Sequence, residues 1–101
     1  MRFQTAIEAE AERELAEAVD YYDEREPGVG QKFTQDVRNI FKTICQDPEK
    51  FPLRTRLTRK AKVPDWPYSV YFAINFKISE VVIVTVWHGA RNPAELRRRL
   101  K

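Results

Sequence analysis

The apolar residues of this chain change their spacing near its middle, from the repeat of a helix to the repeat of a strand, and this restricts the fold most. From about Ala6 to Glu24, the residues Ala11, Leu15, Ala18 and Tyr22 fall on one helical face. Glu8, Glu10, Glu12, Glu14, Glu17 and Asp20 fill much of the remainder, where acids near a helix N-terminus suit its dipole. The run Glu26-Pro27-Gly28-Val29-Gly30 breaks the helix: proline cannot continue it and the glycines permit a turn. A second helix is expected from about Gln31 to Gln46, with Phe33, Val37, Ile40, Phe41 and Ile44 as a wide apolar stripe and Cys45 beside it as a small buried hydrophobe. Asp47-Pro48 closes it, and the short connection between the helices implies an antiparallel hairpin.

In the second half, Trp66, Tyr68, Val70, Phe72, Ile74 and Phe76 alternate with Pro67, Ser69, Tyr71, Ala73, Asn75 and Lys77. That is the period of a half-buried strand. Part of Leu53–Val63 is expected to be a strand too, its odd positions Leu53, Leu57, Ala61 and Val63 apolar and its other face basic. After a turn over Lys77–Glu80, Val81–Trp87 is apolar on both faces, as a central strand would be. Asn92 has the chemistry of an N-cap, with Pro93 in the first helical position and a short basic helix over Pro93–Leu100. Met1–Thr5 is expected as an edge strand. The order β-α-α-β-β-β with a short C-terminal helix implies one α+β domain over residues 1–101, with the helical hairpin packed on one face of a small antiparallel sheet.

Charge is divided along the chain. Residues 1–50 hold 7 Lys/Arg and 12 Asp/Glu, a net of −5, whereas residues 51–101 hold 11 and 3, a net of +8. An acidic half and a basic half suggest a directed surface, the basic part suited to nucleic acid or to an acidic protein. A single cysteine rules out an internal disulfide and fits a reducing, cytoplasmic location. No apolar run reaches the length of a signal peptide or a membrane span, so neither export nor membrane insertion is expected. No metal or cofactor is expected.

The block from Glu8 to Phe33 resembles the helical hairpin of ParE-type toxins in the RelE/ParE superfamily. The matching residues are Tyr21, Tyr22, Pro27, Gly28, Gly30 and Phe33. Asp47-Pro48-Glu49-Lys50-Phe51-Pro52, Trp66-Pro67-Tyr68 and the run His88, Arg91, Pro93 match further family segments in order. The resemblance implies the toxin of a type II toxin–antitoxin system. On the ParE-like branch it implies inhibition of DNA gyrase by binding, and neutralisation by a cognate ParD-like antitoxin in a tight complex, a heterotetramer or larger. The alternative within the superfamily is a RelE-like endonuclease that cuts mRNA on the ribosome, and a third is a non-toxic domain that only binds the antitoxin. For antitoxin contact, Leu15, Tyr21, Tyr22, Phe33 and Val37 are the candidates.

Metal-free RNA cleavage needs a base, an acid and cations that hold the phosphate. Arg54, Arg56, Arg59, Lys60, Lys62, Arg91, Arg97 and Arg98 are candidates for target or phosphate contact. The same basic segment would equally suit an acidic antitoxin or a charged edge strand. His88, the only histidine, is the candidate acid or base, with Arg59 and Arg91 beside it as catalytic candidates. Against that, His88 shares strand parity with Val82, Val84 and Val86 and is expected to point towards the core, and the C-terminal segment GARNPAELRRRLK has no tyrosine to assist it. The reading from sequence is therefore a non-catalytic ParE-like toxin.

Overall fold

Three helices and four strands carry the described part of the chain, residues 3–100 of a computed structural model. β1 (Gln4–Ile7) leads into α1 (Ala9–Arg25), which turns into α2 (Val29–Gln46). A single 3₁₀ turn (Pro48–Lys50) and a loop precede β2 (Thr58–Lys62), β3 (Tyr68–Asn75) and β4 (Glu80–His88), and α3 (Pro93–Arg99) follows. The expected α+β order and the short C-terminal helix are present. Of the expected first strand, Met1 and Arg2 lie outside the described residues, and the strand itself extends to Ile7. Ladder bonds from β4 thus claim Ala6 and Ile7 before the helix can begin.

The sheet order is β1-β4-β3-β2, and here the sheet differs from a purely antiparallel one. β2, β3 and β4 form an antiparallel meander, while β1 lies parallel to β4, with Gln4 opposite Glu80 and Ile7 opposite Ile83. The hairpin causes this. It carries the chain out and back, so that the end of α2 returns to the start of β1, where the Phe3 N–H donates to the Cys45 carbonyl at 2.9 Å. β2 therefore sets off from the end where β1 began, and the alternating meander leaves β4 parallel to β1.

The turn between the helices is tighter than the Pro-Gly-Val-Gly run suggests, because α2 starts at Val29. Gly28 supplies the turn with φ of +94°, a conformation glycine adopts without strain. Gly30 already belongs to α2 and serves close approach: a Cβ there would stand 2.6 Å from the Val19 carbonyl oxygen and from the Asp23 carboxyl. Asp23 Oδ1 accepts from the Gly30 N–H at 2.7 Å, so α1 caps the first turn of α2.

The hairpin covers one face of the sheet. Ala11, Ala18, Phe33, Val37, Ile40 and Ile44 meet Ala61, Val63, Val70, Phe72, Val81, Ile83 and Val86, with Tyr22, Trp66 and Tyr68 packed at the margin. Cys45 is buried in the same core, as expected, 2.7 Å from Thr5 Oγ1. Trp66 Nε1 donates to Asp36 Oδ2 at 2.8 Å, tying the loop before β3 to α2. α3 lies on the other face, where Leu96 and Leu100 pack with Tyr71, Val84 and Trp87.

One irregularity changes which side chains face which way. The β3–β4 register slips between Tyr71/Thr85 and Phe72/Ile83, leaving Val84 as the extra residue of a β-bulge. Before the bulge Val81 and Ile83 face the hairpin and Val84 faces α3; after it Val86 faces the hairpin and Trp87 faces α3. His88 does not therefore share a face with Val82 and Val84, as strict parity implies.

Candidate functional site

Basic side chains converge on the sheet face that carries α3. Lys60 on β2 stands opposite Tyr71 on β3 in the ladder. With Arg54, Thr55, Arg56 and Leu57 from the loop before β2, and Leu96, Arg97 and Leu100 from α3, they line an open groove of about 830 Å³. Its floor and one lip are apolar, its rim carries four cations, and among the described residues no carboxylate lines it. Leu57 is 73% exposed at its edge, although the odd-numbered pattern placed Leu53 and Leu57 on a buried face. The correction has a local cause. β2 begins only at Thr58, and Thr55 Oγ1 accepts from the Leu57 and Thr58 N–H groups, folding residues 54–57 into a loop, while Leu53 keeps a single antiparallel bridge to Arg59. Burial raises the proton affinity of the Tyr71 phenol above its ordinary value, opposed by the Arg54 charge, so this hydroxyl stays protonated at neutral pH.

The remaining basic candidates are elsewhere. Arg59 faces the hairpin side and donates to the Glu49 carbonyl at 3.1 Å and the Phe51 carbonyl at 2.8 Å. Lys62 donates to the carbonyls of Val63 and Trp66. Arg98 lies with Glu10, Arg91, Glu95 and Arg99 beside α1. Both Arg59 and Lys62 thus hold loops in place.

His88 occupies the opposite side of the sheet from the groove. It is half-buried, edge-to-face with Tyr68 at 5.0 Å, in a shallow depression shared with Glu14, Glu17, Ala18, Tyr21 and Arg91. Its Nδ1 accepts from the Ala90 N–H at 2.9 Å, which places any ring proton of the neutral form on Nε2. Arg59 stands opposite Phe72 whereas His88 stands opposite Tyr68, four residues and roughly 13 Å apart along β3. The three catalytic candidates are therefore not assembled: Arg91 is near His88, and Arg59 is committed elsewhere.

Glu14, absent from the sequence candidates, is the most densely bonded side chain of this region. Its side chain is 9% exposed. It accepts from Thr85 Oγ1 at 2.6 Å, Arg91 Nη1 at 2.7 Å and Arg99 Nη1 at 2.9 Å. Arg99 also donates to the carbonyl of the bulged Val84 at 2.7 Å, and Arg91 stacks over the Trp87 ring at 3.8 Å. Burial pushes the Glu14 carboxyl up, but hydrogen bonds from Arg99, Thr85 and Arg91 and the Arg99 charge together hold it below its ordinary value. A signal for it exists in the sequence: Glu14 lies at i+3 from Ala11 and four before Ala18, inside the buried stripe.

The candidates for antitoxin contact separate by burial. Phe33 and Val37 are fully buried, so neither presents a surface to a partner. The apolar stripe that singled them out is the one that packs on the sheet. Leu15 and Tyr22 are partly buried against the core, Tyr22 with its ring 4.9 Å from that of Trp66. Tyr21 alone of the five is well exposed, at 49%, with Arg25 stacked on it at 3.4 Å. Among the described residues no His/Cys/Asp/Glu group is spaced to hold a metal, and no helix is long and apolar enough to cross a membrane.

The family model for the ParE toxin of the parDE type II toxin–antitoxin system matches residues 6–93. No curated protein matches. Among solved structures, a chain of a chromosomal ParDE toxin–antitoxin system from P. aeruginosa superposes with a TM-score of 0.75 at 20% identity, covering 86% of this chain and 96% of that one. A chain of the toxin–antitoxin complex RelBE2 from Mycobacterium tuberculosis superposes with a TM-score of 0.61 at 21% identity, covering 87% and 99%. With the hairpin, the meander and the turn into α3 all inside the matched span, this chain belongs to the ParE toxin family of type II toxin–antitoxin systems.

Proposed function

We propose that this protein is a toxin that works by binding, inhibiting DNA gyrase without catalysis of its own, and that a ParD-like antitoxin neutralises it. The observation that carries the reading is the separation of the chemistry. Phosphodiester cleavage needs an acid or base within hydrogen-bond reach of the phosphate that the cations hold. Here Arg54, Arg56, Lys60 and Arg97 gather on one face of the sheet and His88 lies on the other. A groove with a cationic rim and an apolar floor suits a protein partner that brings acids and hydrophobes together.

The ParDE and RelBE2 complexes support an antitoxin partner. An antitoxin segment that is disordered alone would gain from the apolar floor what it loses in ordering. The assembly would be a heterotetramer or larger, formed in the cytoplasm where gyrase works.

The test is purified toxin in two assays, gyrase supercoiling and translation-coupled mRNA cleavage. Lost supercoiling with intact mRNA is expected, unchanged by His88→Ala. Cleaved mRNA with normal supercoiling, abolished by His88→Ala, would overturn the reading in favour of the ribosome-dependent endonuclease. No effect in either assay would leave a domain that only binds the antitoxin.

A further inference from the structure

The two sides of the groove are anchored differently. Lys60 sits in the hydrogen-bonded ladder, and the loop beside it is tied back by the Arg54 N–H, which donates to the Thr58 carbonyl at 2.8 Å. The other side is α3, seven residues reached through Gly89–Asn92. A helix this short does not persist in water by itself. It holds because of what it touches. Leu96 and Leu100 supply apolar contact with Tyr71, Val84 and Trp87. In the linker, the Gly89 N–H donates to the Pro67 carbonyl. From Arg91 onward the side-chain hydrogen bonds and ion pairs to the body, among the described residues, run through Arg91 and Arg99, with Glu14 the one carboxylate that reaches both.

We propose that Glu14 is a lock that holds α3 as a movable wall of the groove, so that breaking this one node frees the wall while sheet and hairpin remain folded. Every partner of Glu14 supports this division. Thr85 belongs to β4 and keeps its place through the ladder, whereas Arg91 precedes α3 and Arg99 ends it. Without Glu14, Arg91 keeps its stack on Trp87 and Arg99 its bond to the Val84 carbonyl, and the carboxylates left to them are more distant than Glu14. Arg91 is 3.9 Å from Glu95 within its own segment, and Arg99 is 3.2 Å from Glu10. Glu17 and His88 face the same depression from α1 and β4. Among the described residues none of the hydrogen bonds or ion pairs of Glu14 goes to a groove-lining side chain, so it is a positioning residue: it fixes where Leu96, Arg97 and Leu100 stand. The consequence for binding rests on the groove being the partner site, but the lock is a property of the free chain.

Hydrogen exchange on the free, full-length chain tests it. In Glu14→Gln, amides of residues 94–100 should exchange at least about tenfold faster, as expected when charged hydrogen bonds are lost, with α2, β3 and β4 within about twofold of the parent. Trypsin should cut after Arg97 and Arg98 correspondingly faster. Arg99→Gln opens the node from the other side and should reproduce the pattern even if Glu14→Gln folds poorly; Arg99→Lys should restore part of the protection. Unchanged protection of 94–100 in both glutamine variants, or equal acceleration throughout the chain, would overturn the lock. If α3 loosens and antitoxin affinity does not change, the lock stands and the groove is not the antitoxin site.

Discussion

A carboxylate at position 14 is costly to bury, and its surroundings reverse that cost. Three donors converge on it, so the folded protein prefers the ionised form and its proton affinity lies below the ordinary value of 4.5. The sign of the pH effect follows from linkage. A depressed carboxylate contributes stability that is complete above the unfolded value and is lost as pH falls through the folded one. Urea unfolding across pH should therefore show stability flat near neutrality with respect to this group and declining below about pH 4.5, with that acid limb shallower in Glu14→Gln. An acid limb equally steep in both proteins would place the effect on other carboxylates. One glutamate among the seven acids of α1 has no mark of this role in composition. Only its place between Ala11 and Ala18 hints at burial, and the arginines that make burial tolerable come from 77 and 85 residues away.

Among the elements, the hairpin and β3 were the most legible, because each follows one period without interruption. Tyr68, Val70, Phe72 and Ile74 all pack on the core as their alternation requires. β2 and β4 were less so. Of the odd-numbered leucines before β2, Leu53 holds one bridge to Arg59 and Leu57 lies in a loop closed by Thr55, and the β4 parity reverses at Val84, where a bulge adds one residue. Periodicity cannot register a bulge in a strand apolar on both faces, since either parity looks acceptable. The hairpin gives a direct test of close packing. Gly30→Ala should cost about 1–3 kcal/mol, because the added methyl meets backbone at Val19 and helices must part. Thermal unfolding should show it as a drop of several degrees. An unchanged Tm would mean that α1 and α2 separate without loss.

For the molecule as a whole, folding turns a division of charge along the chain into a division in space. The acids of α1 lie over the hairpin side, and four of the later cations gather on the opposite face. On the proposed reading, the double change Arg56→Glu with Lys60→Glu should weaken antitoxin binding at least about tenfold and reduce its salt dependence, whereas Arg38→Glu with Lys42→Glu on exposed α2 should do neither. Equal effects of both pairs would point to net charge, not to the groove.

The amino-acid sequence alone determines the α+β class, the hairpin, the central character of β4, the Asn92 cap and the family, because each depends on spacing or on a turn within a few residues. Asn92 Oδ1 accepts from the Ala94 N–H at 2.9 Å, as its type and position imply. Tertiary structure decides the parallel seat of β1, the face on which each cation lies and the joining of Glu14 to Arg91 and Arg99. Those depend on ladder pairing and on groups brought together from opposite ends of the chain, and no local period encodes either.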